Sequence, residues 1–537
     1  GPMTNGAAST QAQGMFGAYL KLSGLDGLII QGASSEPVYL YVHDDATVEI
    51  RDAGNLMGMD TWDTIESIEQ ELGKTERNLS VLAIGPAGEN LVRFACTNSD
   101  RGHICSHNGP GAVLGSKKLK AIAVERGKQR VPLMDKETLR SMIRDIVENK
   151  TKKITGIPIW GTSSDFMTHD NQGSLPIKNY TESDGSPYYN ISGKIYREKW
   201  DMKHLPCWGC AFKHCHRVTI TEGPYKGYVG DEQEYESMAA FGPVICNTDA
   251  AAATVLGNTA DKLGIDSNES GWMVGWLMEC YENGLLSAND LDGIELTWGN
   301  AEAAKKLLEN ICYRKGFGDK LAEGVMRAAT QMGDSIQECA IYTKKGNTPR
   351  GHDHRYLFNQ ILDTATGTIG TDEVAAIFIT PAALGLPEGT ERNTADGAAA
   401  IVAEAAKVGN KALHDSLTIC SLGLIGTGQA DYVKFLSLAT GWNYTPEEAS
   451  RFGLRINNLF RAFAMIHGQT KDMEGPSKRY SSAVLKGPEK GKAMSLIWSE
   501  ALDHYYRKRG WDVETGKPLP ETLKEVGLDH VIENLWG

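Results

Sequence analysis

No stretch of the 537 residues approaches the run of about eighteen apolar positions that a membrane-spanning helix requires. The start, GPMTNGAAST, lacks a basic segment followed by an apolar one, so it does not read as a secretory signal, and the expectation is a soluble, cytoplasmic protein. Long runs of one charge are missing too. The 55 basic and 68 acidic side chains, net −13, are interspersed, which argues against nucleic acid or an anionic membrane as partner and leaves small molecules and basic protein surfaces. Ten cysteines are too few for a disulfide scaffold in a chain this long. Neither an internal repeat nor a low-complexity tract occurs, although Ala-rich stretches near 250 and 400 come closest. What is present is a 41% hydrophobic content, enough for the cores of about two to four domains.

Residues 24–52 alternate apolar and polar positions between Gly, Pro and Asp turn signals and read as successive strands, as do 80–96 and 120–125. From about residue 134 the period changes to that of helices, at 135–149, 250–265, 271–286, 300–316 and 319–333, several with Gly near their ends. Residues 396–408 and 449–468 continue in that style, and a short polar tail follows Trp511.

The sharpest motif is the C-x2-C-x4-C run Cys207, Cys210, Cys215, preceded by Pro206. Closely spaced thiolates wrap one metal centre, and three local ligands require a fourth. Cys420 supplies it if the centre is a [4Fe–4S] cluster; His214 or His216 supplies it if the centre is zinc, and spacing leaves the two readings open beside that of unligated thiols. Cys246, Cys280 and Cys312 stand in apolar surroundings and read as small core residues. The glycine-rich segment 106–118, with Gly109 and Gly111, follows strand-like sequence. Backbone amides in such a loop can approach a phosphate, but without Walker spacing a tight connection between strands is the simpler reading. Asp261 to Ser267 and Asp415 to Cys420 each place an aspartate at a helix end, where capping is the ordinary role.

Four segments resemble the aldehyde:ferredoxin oxidoreductase family: 84–92 (IGPAGENLV), 111–122 (GAVLGSKKLKAI), 316–324 (GFGDKLAEG) and 505–511 (YYRKRGW), in the family's order. The resemblance runs from about residue 14 to the end and implies an α+β fold. It implies a β-rich pterin-binding base domain over 1–131 and a helical domain over 132–340 with the cluster loop and the first pterin motif. A second helical domain over 341–537 would hold the second pterin motif and the fourth cysteine. By this reading the base domain is incomplete, lacking roughly the first seventy to eighty residues of the fold.

The cofactors implied are a tungsten or molybdenum bis-pterin, one [4Fe–4S] cluster on Cys207, Cys210, Cys215 and Cys420, and Mg2+ bridging the pterin phosphates through main-chain positions Gln11 and Ile104. The family's usual cysteine spacing is one residue shorter, C-x2-C-x3-C. Asp261, Gly264, Ile265, Asp266 and Ser267, with Asp415 and Ile419, match the two pterin motifs; His103 stands at a family arginine position, and Gly109 and Gly111 belong to the phosphate side.

Glu236 matches the family's carboxylate near tungsten, with Tyr235 beside it, though by composition alone an E-Y-E run is a solvated helix face. The family's active-site histidine has no counterpart in 363–369, and His352 and His354 are the nearby substitutes; a second pocket glutamate of the family aligns with Val255. The implied activity is oxidation of aldehydes to carboxylic acids, or the reverse. Electrons would pass through the cluster to ferredoxin or a dedicated iron–sulfur subunit, in a homo- or hetero-oligomer. The competing readings are a relative acting on a 2-hydroxy acid or aromatic acyl thioester, an electron-transfer subunit without active tungsten, and a zinc-stabilised structural protein.

Overall fold

The computed structural model describes residues 1–154, 156–205, 207–369, 380–408, 410–420, 422 and 429–537; Pro206 of the cysteine run lies outside them. Six strands form one mixed sheet: β1 (Val38–Val42), β2 (Val48–Asp52), β3 (Leu79–Ile84), β4 (Thr97–Ser99), β5 (His103–Cys105) and β6 (Leu119–Glu125), in the order β2-β1-β6-β3-β4-β5. Only the β1–β6 pairing is parallel.

The period-2 pattern sends side chains to both faces. Tyr39, Tyr41, Val81, Ala121 and Ala123 meet Ile65 and Ile68 of the helix Thr61–Leu72. On the opposite face Val42, Ile122 and Val124 meet Tyr19 of the helix Phe16–Ser23 and Leu114 of the helix Pro110–Ser116. Both faces are covered, which is why β6 is apolar nearly throughout.

The rest is helical and shares one large core. At its centre the helix Ser267–Glu282 is buried nearly all round, including Trp272 and Trp276. Further along, Ala395–Val408 packs on Trp498–Arg509 through alanines small enough to let the axes approach. Below them Arg461, Glu474 and Tyr506 form a buried ionic and hydrogen-bonded network, so the YYRKRGW segment is anchored by charge pairing as well as by Trp511.

Several expectations are corrected. Residues 24–37 and 85–96 hold no strand, because Gly, Pro and Asp turns interrupt them; a short helix, Pro86–Glu89, follows β3. The segment 319–333 is broken between Phe317–Leu321 and Val325–Met332 at Gly324, whose φ of 89° no helix accepts. The glycine-rich segment does join two strands, β5 and β6, but through the short helix Pro110–Ser116. The tail after Trp511 is also structured: Leu523, Leu528 and Leu535 pack on the helix Pro446–Ile466.

One of the resembling segments, 84–92, has a direct physical reason. The turn Leu263-Gly264-Ile265-Asp266 docks on the base sheet, with Cys96 donating to the Gly264 carbonyl at 2.8 Å and Asp266 N–H to that of Phe94 at 3.0 Å. A Cβ at Gly85 would stand 2.4 Å from the Leu263 oxygen, so this close approach requires glycine in 84–92.

Candidate active site and cysteine centre

A second, smaller sheet carries the cysteines. Strands β7 (Asp201–His204), β8 (His216–Thr219) and β9 (Val229–Asp231) are antiparallel, and the loop between β7 and β8 is the cysteine run. Leu205 N–H closes it on the Cys215 carbonyl at 3.0 Å, and left-handed Gly209 and Lys213 turn it. Cys207 shares a hydrogen bond with Cys215, which lowers its pKa against the effect of burial, and His103 on β5 lowers it further from 3.9 Å. Cys207 is thereby drawn toward thiolate, the metal-binding form.

Ligand atoms of His103, Cys207 and Cys215 lie within 4.8 Å of one another, as do those of His214, Cys215 and Glu234. Soft sulfur with imidazole suits iron–sulfur or zinc chemistry. His216 is instead occupied, 2.8 Å from the His214 carbonyl and 3.1 Å from Glu232. Cys420 is exposed beyond the helix Asn410–Ser416, and among the described residues no contact joins it to the other three.

Next to this loop the two aspartate motifs converge on the first residues of the chain. Asp266 caps the helix Ser267–Glu282, accepting from Glu269 N–H at 2.8 Å and from His107 N–H at 2.7 Å. His107, Asn108 and Gly109 are successively left-handed, an arrangement that aims their backbone inward at a cost in strain. Asn108 donates to the Ser9 carbonyl, Gln11 donates to Asp415, and Lys411 binds the same carboxylate at 2.6 Å. Ser267 and Ser237 hydroxyls lie 2.9 Å apart.

Gly109 and Gly111 are packing glycines, since a Cβ on them would stand 2.0 Å and 2.3 Å from the Arg93 and Cys96 oxygens, and Gly111 N–H is used by Ala95. Gly264 is the left-handed cap before Ile265, while Ile419 packs with Leu413 and Tyr432. Ile104 lies on β5, one of the two edge strands, where half the backbone groups are outside the ladder.

Buried polar atoms here lack partners among the described residues: Asn108 Oδ1, Asn268 Oδ1, Asn98 Oδ1 and Ser99 Oγ. Burial pushes Asp261 up to about 7, less the hydrogen bond from Gln233, and Glu269 also to about 7. Buried oxygens awaiting donors fit a polar, N–H-rich ligand such as a pterin.

The E-Y-E run is no solvated face. Glu234 stands at the N-cap position of the helix Tyr235–Ala240 without capping it through its side chain, which turns toward the cysteine loop, 3.2 Å from His214 Nε2. Tyr235 is buried and Glu236 half-buried. His352 Nε2 stands 3.8 Å from Glu236 Oε1, and its ring stacks on Tyr235 with centroids 4.5 Å apart. Burial raises the Glu236 pKa, but His352 and then Arg350 outweigh it and hold it at about 2, so Glu236 is ionised at neutral pH. His354 lies one ring behind, bonded to Tyr480 at 2.7 Å, and burial keeps it neutral.

A model of the N-terminal domain of aldehyde ferredoxin oxidoreductase matches residues 1–126, and a model of domains 2 and 3 of the same protein matches 137–528. The chain belongs to the aldehyde ferredoxin oxidoreductase family. It is an oxidoreductase. The tungsten-containing aldehyde ferredoxin oxidoreductases of Thermococcus kodakarensis and Pyrococcus furiosus are each 34% identical to it, over 98% of this chain and 86% of theirs. The WOR-like subunit of an aliphatic sulfonate oxidoreductase from Pyrococcus furiosus is 31% identical, over 98% of this chain and 84% of its own. Among solved structures, the active-site complex BamBC of benzoyl coenzyme A reductase with 1,5 dienoyl-CoA shares the fold, with a TM-score of 0.80, 24% identity and coverage of 98% of this chain and 84% of that one.

One residue of this oxidoreductase escaped the sequence reading. His169, on the helix Phe166–Gln172, packs 4.3 Å from Tyr235 and 5.3 Å from His352, closing a cluster of rings over Glu236. A lone histidine far from any motif carries no signal, and only the fold brings it in. Burial and then His352 lower its pKa to about 4. The folded state therefore holds fewer protons than the unfolded chain between about pH 6.5 and 4, and its stability falls as pH drops through that window. His169→Phe is expected to flatten the fall in melting temperature over that range; an unchanged slope contradicts the assignment.

Proposed function

We propose that the chain oxidises aldehydes to carboxylic acids, R-CHO + H2O → R-COO− + 3 H+ + 2 e−, or runs the reverse. The observation that carries this is the ionised Glu236, paired with His352 at 3.8 Å, on a helix whose N-cap residue, Glu234, reaches the cysteine loop. This contact supports assigning proton chemistry and electron exit to neighbouring parts of the chain.

A tungsten bis-pterin would be held by Asp261, Gly264, Ile265, Asp266, Ser267, Asp415 and Ile419, with Gln11 and Ile104 offering carbonyls to Mg2+ and His103, Gly109 and Gly111 on the phosphate side. Bound there, it supplies polarisation of the carbonyl and a sink for the electron pair. Cys207, Cys210, Cys215 and Cys420 would hold the [4Fe–4S] cluster. Glu236 Oε1 receives the proton of the attacking water, with His352 Nε2 facing that carboxylate at 3.8 Å, while Tyr235, His169 and His354 wall the site. The division into 1–131, 132–340 and 341–537 goes with this reading, as does ferredoxin or an iron–sulfur subunit as electron acceptor.

Anaerobic assay with a viologen acceptor tests it. Two viologens reduced per aldehyde consumed, with the acid as product, is the expected result. Turnover only of a 2-hydroxy acid or an acyl thioester would replace the substrate, and no turnover of any of them would overturn the reading.

A further inference from the structure

The helix Phe358–Thr366 is buried along its whole length, yet only one side of it is apolar. At about 100° per residue Phe358, Ile361, Leu362 and Ala365 share that side, and Asn359, Gln360, Asp363, Thr364 and Thr366 share the other. The apolar side enters the large core against the helix Ala395–Val408. On the polar side Asn359 Oδ1 and Nδ2, Gln360 Oε1 and Thr364 Oγ1 are buried with no hydrogen-bond partner among the described residues, whereas Thr366 donates its hydroxyl to the Leu362 carbonyl at 2.8 Å. Polar atoms are costly to bury unmatched, and four of them on one side of a nine-residue helix mark where a polar ligand binds. This side borders the Glu236 cluster. Gln360 Nε2 donates to Tyr356 Oη at 3.2 Å, and Tyr356, partly exposed, lies within electrostatic reach of Tyr235 and of Arg350, which also acts on Glu236. The Glu236 side chain is 33% exposed although the protein around it desolvates the carboxyl, so it opens on an interior chamber and not on bulk water.

From this we infer that the polar side of the helix Phe358–Thr366, reached past Tyr356, is the specificity wall of the substrate chamber and selects aldehydes that carry hydroxyl groups along the chain, the aldose type. The inference rests on the proposed aldehyde oxidation and names its substrate class. The unmatched atoms are three oxygens and one amide nitrogen with two hydrogens. A hydroxyl donates to the former and accepts from the latter through a single atom, and it carries no charge, as they carry none. An alkyl or aryl group does neither and leaves all four unmatched. A site built to hydrogen-bond its substrate discriminates by that loss far more steeply than an apolar pocket does by shape.

The test uses the holoenzyme, a viologen acceptor, and erythrose and butanal, aldehydes of equal chain length that differ in their hydroxyls. The wild type is expected to favour erythrose, referred to its free aldehyde form, by on the order of a hundredfold or more in kcat/KM. Asn359→Leu and Thr364→Val are each expected to lower the erythrose-to-butanal ratio of kcat/KM by on the order of ten- to a hundredfold. Their melting temperatures should hold or rise, because an unmatched buried polar group gives way to an apolar one of like shape. Equal or better turnover of butanal by the wild type, or an unchanged ratio in both variants, would overturn the wall. So would a fall in melting temperature with the ratio kept, the mark of polar atoms satisfied by buried water. Absence of viologen-coupled turnover of both aldehydes would instead overturn the proposed activity. Saturation-transfer NMR with erythritol then decides the wall: a signal in the wild type that is lost in Asn359→Leu supports it, and no signal overturns it.

Discussion

Glu236→Gln is expected to lower kcat for aldehyde oxidation by a factor on the order of a hundred to ten thousand, with KM little changed. Glutamine keeps the volume and a hydrogen-bonding oxygen toward His352, but it cannot take a proton. The loss therefore falls on the step in which water is deprotonated and not on binding, and amounts to about 3–5 kcal/mol of barrier. A structural role would read differently, as a fall in melting temperature or in cofactor content with the residual rate following the remaining cofactor.

The pH profile adds a second readout. Because His352 opposes the burial that raises the Glu236 pKa, and Glu236 is held at about 2, its removal lets burial push the carboxyl up. His352→Asn should move the acid limb of the rate profile toward neutral pH, whereas Glu236→Gln should abolish that limb. Equal profiles in the two variants would remove Glu236 from proton transfer.

Cys215→Ala is expected to have the other large effect: loss of about four iron atoms per chain and of carrier-coupled turnover. Cys215 takes part in both groupings of ligand atoms, with His103 and Cys207 and with His214 and Glu234, so its loss reaches further than that of any other loop cysteine. His214→Ala separates the metals. It should leave iron in place if the centre is a cluster on four cysteines, and should abolish metal if the centre is zinc on cysteine and histidine. Cys420→Ala tests the fourth ligand, which stands apart from the loop; retention of all iron in that variant would assign the ligand elsewhere.

The α+β class was legible in the sequence, and for a physical reason. Residues 119–125 are mostly apolar on both faces of a strand that is covered on both, and the helix period of 301–312 follows from one buried stripe. Boundaries were misread where turn chemistry outweighs period, at 24–37 and at Gly324. The cysteine loop was legible because close ligand spacing is a local property. Glu236 was reached through the resemblance, since its pairing with His352 joins residues 116 positions apart and leaves no trace in local composition. His169 was not legible at all: its role depends on packing against Tyr235, and a single imidazole on a short helix has no periodic or spacing signature. Likewise Asp261 and Asp266 read as helix caps. Asp266 does cap a helix, while the unpaired buried oxygens around it emerge only once 9–11, 106–109 and 261–268 are brought together.

The central claim, a tungsten–pterin oxidoreductase with its own cluster, is tested most directly by element-resolved mass spectrometry of the anaerobically purified protein. About one tungsten and about four iron atoms per chain, without zinc, is the predicted result. Iron without tungsten or molybdenum would contradict it and leave an electron-transfer role, and zinc without iron would contradict both cofactors.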